Sequence, residues 1–340
     1  HQLYSMEYLK QIIGSDTSEL CFPQLLNSSC RKTMRPRSVS MLTYIILSSI
    51  SVLTVTLNLL VIISISHFKQ LHTPTNLLLL SLAVSDFFVG LLMSFQIVII
   101  DGCWFLGDFM CVLYYVLVYV ITSASIGTMV LISVDRYVAI CDPLHYATKV
   151  TQKTVKVCVC VCWLCAAVCH SLLLMDNLTQ PGRYNSCYGE CVVVIDYVAG
   201  LVDLFLSFSG PVTVITLLYL RVFVVAVSQA RAMRFHIAAV TLQGSVKVAA
   251  KKSEMKAART LGVVIVVFLI CLCPYFCVTL TGQDTLLNAS SVAFVICLFY
   301  FNSCLNPIIY AFFYPWFRKS VKLIVTLQIM KPGSCEAKIA

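Results

Sequence analysis

The residue most in need of a chemical explanation is Asp203. It sits in Val202–Asp203–Leu204–Phe205–Leu206–Ser207–Phe208–Ser209–Gly210–Pro211, an otherwise apolar stretch without Lys or Arg. An ionised acid inside a bilayer costs about 2.5–3.5 kcal/mol or more, so it faces a cavity, a partner or a ligand. No other long apolar segment carries Lys or Arg near its middle. The charge is therefore expected to be met from outside the protein, by a soluble cation such as an amine. Tyr115 and Tyr119 lie one turn apart on either side of Val118, and Tyr275 and Phe276 follow Pro274. Such rings offer cation–π contacts and hydroxyl acceptors. Ser207, one turn from Asp203, adds a hydroxyl. Asp86 is the second deep acid.

The elements that must position these groups follow from composition. Of 340 residues, 59% are hydrophobic and only 11% charged, where a soluble domain carries about a quarter charged residues. Apolar runs near 20 residues read as membrane-spanning helices. Seven are expected, at 40–66, 75–100, 108–140, 154–175, 193–227, 256–280 and 291–313. The fold class is an all-α membrane protein: a seven-helix bundle over 39–313, with an extracellular tail, 1–38, before it. Residues 314–340 should form a short amphipathic helix on the inner membrane surface and a cytoplasmic tail.

The net charge of +9 does not imply nucleic acid, because of where the charges lie. The gaps 101–107 and 281–290 hold no Lys or Arg, and 176–192 holds only Arg183. Lys69, Lys149, Lys153, Arg231, Arg234, Lys247, Lys251, Lys252, Arg318, Lys319 and Lys322 occupy the other gaps and the end of the chain. The positive-inside rule then places the N-terminus outside and the C-terminus in the cytoplasm of a plasma-membrane protein. Arg31, Lys32, Arg35 and Arg37 run against this bias and are outvoted.

Eighteen cysteines are too many for one role. Cys21, Cys30, Cys103, Cys111, Cys187 and Cys191 fall on the outer side, where disulfides form, and six cysteines allow fifteen pairings. Cys158, Cys160, Cys162, Cys165 and Cys169 crowd the fourth span; a metal site there is the lesser reading, since free Cys is commonly a small buried hydrophobe. Cys335 is a candidate for palmitoylation. Asn27–Ser28–Ser29 is a glycosylation acceptor triplet.

Asp135–Arg136–Tyr137 ends the third span, and Asn306–Pro307–Ile308–Ile309–Tyr310 lies in the seventh. Leu82–Ala83–Val84–Ser85–Asp86 lies in the second, Asn58 in the first and Trp163 in the fourth. Together, in this order, they resemble the rhodopsin-like class A of G-protein-coupled receptors. A longer run, Asn302–Ser303–Cys304–Leu305–Asn306–Pro307–Ile308–Ile309–Tyr310–Ala311–Phe312–Phe313–Tyr314–Pro315–Trp316–Phe317, closely resembles the fingerprint of trace amine-associated receptors. His67–Phe68–Lys69–Gln70–Leu71–His72–Thr73–Pro74–Thr75–Asn76 is similar to the same family.

The resemblance implies a chemosensory, olfactory receptor for small amines that signals through a stimulatory heterotrimeric G protein to cAMP. It implies a Cys111–Cys191 disulfide, with the tail tied down by Cys21–Cys187 and Cys30–Cys103. It turns Tyr300 toward the pocket. No cofactor is required, but an allosteric sodium ion is implied at Asp86, Ser125, Ser303 and Asn306. Ile126, Pro211 and Phe268 would pack between pocket and cytoplasmic cleft, which Tyr219 and Tyr310 would line on activation. An ion pair between Arg136, beside Asp135, and Glu254 at the start of span six would hold the inactive state. Pro211 and Pro274 remove backbone hydrogen bonds and favour kinks.

The chain departs from the family in two places. Amine receptors usually carry an Asp in span three, seven residues after the disulfide Cys; here that position is Val118. The anchor is expected to have moved across the pocket to Asp203, with Glu190, Asp196 and Asp284 near the mouth as candidates for a second ammonium. The family's Cys–Trp–x–Pro here reads Cys271–Leu272–Cys273–Pro274, which puts the activation detail in doubt. The alternative within the same fold is a receptor for a non-amine ligand, or a weakly coupled one. A retinal receptor is excluded, since no Lys lies between Lys256 and Lys319. No internal repeat supports a transporter, and no nucleophile–base pair supports an enzyme.

Overall fold

The computed structural model describes residues 19–32, 37–100, 102–237, 262–263, 265–277 and 289–339. Its helices are α1 (Arg37–His67), α2 (Pro74–Ile100), α3 (Asp108–Cys141), the short α4 (Tyr146–Lys149), α5 (Gln152–Leu173) and the short α6 (Met175–Thr179). They continue with α7 (Tyr197–Leu204), α8 (Gly210–Ile237), α9 (Ile265–Cys277), α10 (Ala289–Phe313) and α11 (Pro315–Val325). A π-helical turn, Phe205–Ser209, joins α7 to α8, so the two form one span. α3 is the hub: it packs on α2, α5 and α8, while α1 packs on α2 and α10.

The distribution of polarity is that of a protein in lipid. Asn58, Ser85, Asp86, Thr128 and Asn306 are fully buried, while Ile45, Val157, Leu164, Leu172, Phe205, Leu217 and Phe223 are exposed. Water would drive the reverse arrangement; a bilayer accepts it, because lipid tails are as apolar as the side chains they meet and a helix pairs most of its backbone groups within itself. Polar side chains then tie helix to helix. Asn58 Nδ2 donates to the carbonyls of Thr54 (2.9 Å) and Ser303 (3.0 Å). Ser51 donates to the Gly90 carbonyl at 2.7 Å, and Trp163 Nε1 to Ser81 Oγ at 3.1 Å. At Gly90 a Cβ would meet Val55 Cγ2 at 2.9 Å, so the missing side chain sets the α1–α2 approach. The chain is a multi-pass, all-helical membrane protein.

Among the described residues, five unbroken spans are long and apolar enough to cross a membrane: Ser40–His67, Pro74–Ile100, Asp108–Cys141, Gln152–Leu173 and Tyr197–Val225. Of span six, Ile265–Cys277 is described, and the seventh is α10. The expected ends need correction on spans four and five. Span four stops at Leu173, and the chain turns at Leu174 into α6. Span five starts at Tyr197 rather than 193, because the residues before it are not helical. Asn177 holds them there by donating to the Val194 carbonyl (2.8 Å) and accepting from its N–H (3.2 Å). Asp196 then caps the helix by accepting from the N–H groups of Val198 and Ala199.

α11 leaves α10 at 95°. Tyr314 is extended, as a residue before proline must be, and Pro315 opens the helix. Trp316, Phe317 and Ser320 are buried; Arg318, Lys319 and Lys322 are exposed. This is the expected amphipathic helix. Beyond it the chain folds back onto the α1–α2 connection. Ser334 Oγ lies 3.0 Å from His67 Nε2, Glu336 pairs with Lys69 at 3.0 Å, and the Ile339 N–H donates to Gln70 Oε1 at 3.2 Å.

The Cys111–Cys191 bridge forms as expected, but the tail pairs differently. The disulfides are Cys21–Cys103 and Cys30–Cys187, not Cys21–Cys187 and Cys30–Cys103. The backbone decides it. Cys30 N donates to the Tyr188 carbonyl (3.0 Å) and Tyr188 N to the Ser28 carbonyl (2.7 Å), which lays Cys30 beside Cys187. Phe22 packs on Phe105 with ring centroids 5.4 Å apart, which carries Cys21 toward Cys103. Gly189, at φ +95°, leaves room for Phe22, whose ring a Cβ would meet at 2.7 Å.

Candidate functional site

Asp203 is placed by a local rule and a local break in it. On α7, Leu201, Val202, Phe205 and Leu206 are exposed while Gly200 and Ser207 are buried, so Asp203 shares the inward face. Pro211 has no N–H for the Ser207 carbonyl. The helix widens there instead, with the Gly210 N–H donating to the Phe205 carbonyl in the i→i−5 pattern of a π-turn. Its residues Phe205–Ser209 thus link Asp203 to the rest of span five.

The Asp203 side chain is 17% exposed, and it has a protein partner. The expectation that its charge is unpaired is therefore corrected. His170 Nε2 of α5 lies 3.0 Å from Asp203 Oδ1, and Ser207 Oγ donates to the same oxygen at 2.9 Å. Ser123 Oγ of α3 stands 3.2 Å from both His170 Nε2 and Ser207 Oγ. The Tyr119 ring stacks on the imidazole, centroids 5.6 Å apart at 19°. In the sequence His170 is marked only as a lone His within the apolar fourth span.

The expected aromatics gather on this side of the bundle. Tyr119 lies within electrostatic reach of Asp203, Tyr115 and Tyr275. Tyr275 packs on Phe299 with centroids 4.8 Å apart, and Phe276 stacks on Phe208 at 4.1 Å. Tyr300 is buried, and its OH donates to Gln96 Oε1 at 3.3 Å, alongside Tyr114 OH at 2.7 Å. Gln96, which joins α2 to α3 and α10, was not anticipated. Val118 is half-buried between Tyr115 and Tyr119 and brings no charge. Of the mouth acids, Glu190 accepts from the N–H and hydroxyl of Ser186, both at 2.6 Å, and Asp196 is the cap of α7. Asp284 lies outside the described residues, and Asn27 is exposed.

Asp86 occupies a second polar centre. It is fully buried, and Asn306 Nδ2 donates to its Oδ2 at 2.8 Å. Its Oδ1 has no hydrogen-bond partner among the described residues, and neither do Asn58 Oδ1, Asn302 Oδ1, Asn306 Oδ1 or Thr54 Oγ1. Ser125 and Ser303 are buried. A buried carboxylate oxygen and several carbonyl-type oxygens without donors fit a hard cation, which binds through oxygen alone.

At the far end of α3, Arg136 is bound to its own neighbour. Its Nε donates to Asp135 Oδ2 at 2.9 Å and its Nη2 to Thr75 Oγ1 at 2.8 Å. Tyr146 OH donates to Asp135 Oδ1 at 2.8 Å. Thr75 and Tyr146 were missed in the sequence; nothing in their spacing marks them. The expected partner of Arg136, Glu254, lies outside the described residues. Tyr137 packs with Ile140 and Val222. Ile126, Phe268 and Leu272 are all buried in the cluster that also holds Tyr310, with Tyr219 packed against it, while Pro211 and Pro274 are half-buried. Pro307 lies inside α10. The hydroxyls of Tyr219 and Tyr310 have no hydrogen-bond partner among the described residues.

Residues 57–310 match the family described as 7 transmembrane receptor (rhodopsin family). The chain is 38% identical over 340 residues to trace amine-associated receptor 13c of Danio rerio, covering 95% of this chain and 97% of that one. It is 39% identical over 328 residues to trace amine-associated receptor 8a of Rattus norvegicus, covering 93% and 95%. With trace amine-associated receptor 4 of Mus musculus it shares 36% identity over 339 residues, covering 96% of each.

Proposed function

We propose a function from one premise: the chain belongs to the rhodopsin family of seven-transmembrane receptors and, within it, to the trace amine-associated receptors. It is a receptor, not an enzyme. Our reading is a chemosensory, olfactory receptor for small amines that couples through a stimulatory heterotrimeric G protein to cAMP, with its N-terminus outside and its C-terminus in the cytoplasm.

The observation that carries the site is Asp203: an inward-facing carboxylate, still 17% exposed, among Tyr115, Tyr119 and Tyr275. With Val118 uncharged, this carboxylate is the anchor for the ammonium. Tyr115, Tyr119, Tyr275, Phe276 and Tyr300 surround the ligand's apolar part and offer π-faces to the cation. Ser207 takes a polar group on the ligand. In a low-dielectric cavity the charge-assisted bond is strong because neither partner keeps its water. The occupied state of Glu190 and Asp196 supports a monoamine.

Ligand binding biases a two-state element. Its resting form has Arg136 held by Asp135 and Thr75. The hydroxyls of Tyr219 and Tyr310, without a hydrogen-bond partner among the described residues, each forfeit about 1–3 kcal/mol of desolvation, which a second arrangement of α8 and α10 would recover. Asp86, Ser125, Ser303 and Asn306 would hold a sodium ion, whose positive charge would neutralise the buried carboxylate in the resting form.

The test is a panel of amines, carboxylic acids and neutral odorants on wild type and Asp203→Asn, read as cAMP with surface expression measured. Amines should activate wild type, and Asp203→Asn should lose about 10- to 100-fold in potency, the worth of a hydrogen bond to a charged group. Unchanged potency would remove the anchor. The His170–Asp203 contact favours a second reading, a neutral ligand on an already paired acid; the same panel separates the two.

A further inference from the structure

We propose that His170 and Asp203 hold one proton in common, and that an ammonium can take Asp203 only by expelling it, so that His170 makes recognition a proton exchange. This rests on the amine reading above and goes beyond it.

The proton count follows from donors and acceptors. His170 Nδ1 lies 2.8 Å from the Ala166 carbonyl. A carbonyl only accepts, so Nδ1 carries a hydrogen. His170 Nε2 faces Asp203 Oδ1 at 3.0 Å. A bare imidazole nitrogen and a bare carboxylate oxygen would oppose two lone pairs, so one hydrogen lies between them. Whether it is drawn as imidazolium–carboxylate or as imidazole–carboxylic acid, the pair is neutral. Ser207 Oγ, donating to Oδ1, and Ser123 Oγ, beside Nε2, add no charge. The groups facing the imidazole are Tyr119 and Ser123 from α3, Asp203 and Ser207 from span five, and the Ala166 carbonyl from its own helix. Among the described residues, Tyr119 and Asp203 are the ionisable side chains of this set.

An arriving ammonium therefore meets a site of zero net charge. If the imidazolium stayed, two cations would share one carboxylate at low dielectric, an arrangement that costs several kcal/mol. The balanced step starts from a free ammonium and the protonated pair. It ends with the ammonium on the Asp203 carboxylate, a neutral His170, and one proton released to water past the exposed side of Asp203. No electrons move. The imidazole is only 5% exposed, so it stays in place as a neutral, stacked wall of the site. A neutral ligand would release nothing.

The sign is set by mass action. Binding that releases a proton is opposed by protons, so amine potency falls as pH falls, by about tenfold per unit while the free pair keeps its proton. The probes are the most potent primary alkylamine of the panel and its trimethylammonium analogue, whose charge does not titrate. Their EC50 values are read as cAMP from about pH 6 to about pH 8 and normalised to the forskolin response, on wild type, His170→Asn and His170→Gln. Both probes should weaken about tenfold per unit on wild type and stay flat on whichever His170 variants reach the surface. A flat wild-type profile with the trimethylammonium probe overturns the proton exchange, and leaves the amine reading intact if Asp203→Asn still loses potency. Equal slopes in wild type and a surface-expressed His170 variant also overturn it. Should Asp203→Asn lose nothing, or no amine activate, both readings fall together.

Discussion

A single buried side chain in this chain is defined by what answers it. Asp203 is answered by His170 and Ser207, with Tyr119 stacked on the imidazole. Among the described residues Asp86 is answered on one oxygen, with Asn306 on Oδ2 and Oδ1 open. The open oxygen yields a prediction of its own. Replacing bath sodium with N-methyl-D-glucamine should tighten agonist binding about fivefold or more, the lower end of ordinary allosteric coupling. Radioligand displacement on membranes would read it, and Asp86→Asn should abolish the difference. An equal sodium effect in that variant would reject Asp86 as the ligand. Leu272 shows the opposite case, a family Trp position filled by a smaller apolar side chain. It is 3% exposed and packed with Ile126 and Phe268, so the core closes over it.

Among the elements, span five does the most with the least regularity. Its π-turn exists because Pro211 leaves the Ser207 carbonyl without a donor, and an extra residue in a turn rotates what precedes it by about 100°. Pro211→Ala restores the missing N–H. The expected outcome is a regular helix, Asp203 rotated out of the inward face, and amine potency down by about tenfold or more with surface expression retained. Potency and Asp203 dependence both matching wild type would mean that Pro211 does not set the turn. α11 is the contrasting element, since its sequence states its own bend: Tyr314 before Pro315, then apolar and basic residues at helical spacing.

On the scale of the whole molecule, three disulfides fasten the end of the bundle nearest Asp203. Two of them join the tail to segments 82 and 157 residues away in sequence, and each native bridge of this kind is worth about 2–5 kcal/mol. The pairing can be read chemically. Cys21→Ser should free the Cys103 thiol and leave Cys187 bonded; a membrane-impermeant maleimide on intact cells, followed by peptide mass mapping, locates the label. Label on Cys187 would restore the pairing expected from family resemblance. At the opposite end, the fold-back of Ser334, Glu336 and Ile339 onto His67, Lys69 and Gln70 joins the end of the chain to the α1–α2 connection.

The sequence by itself determined the class of fold and singled out the candidate acid. Long apolar runs, sparse charge and ordered motifs were enough for a helical bundle in lipid, because hydropathy and spacing are local properties. The same holds for Asp203 as the inward acid of span five and Val118 as the vacated place on span three. Contacts between distant segments were decided only by the tertiary structure. His170 reaches Asp203 across 33 residues, and Cys30 meets Cys187 because an isolated backbone bridge carries it there. Fifteen pairings of six cysteines are equally consistent with composition, and a histidine in an apolar helix can face lipid, core or ligand. Which partner each finds depends on helix rotation and loop path, which packing of the whole bundle sets.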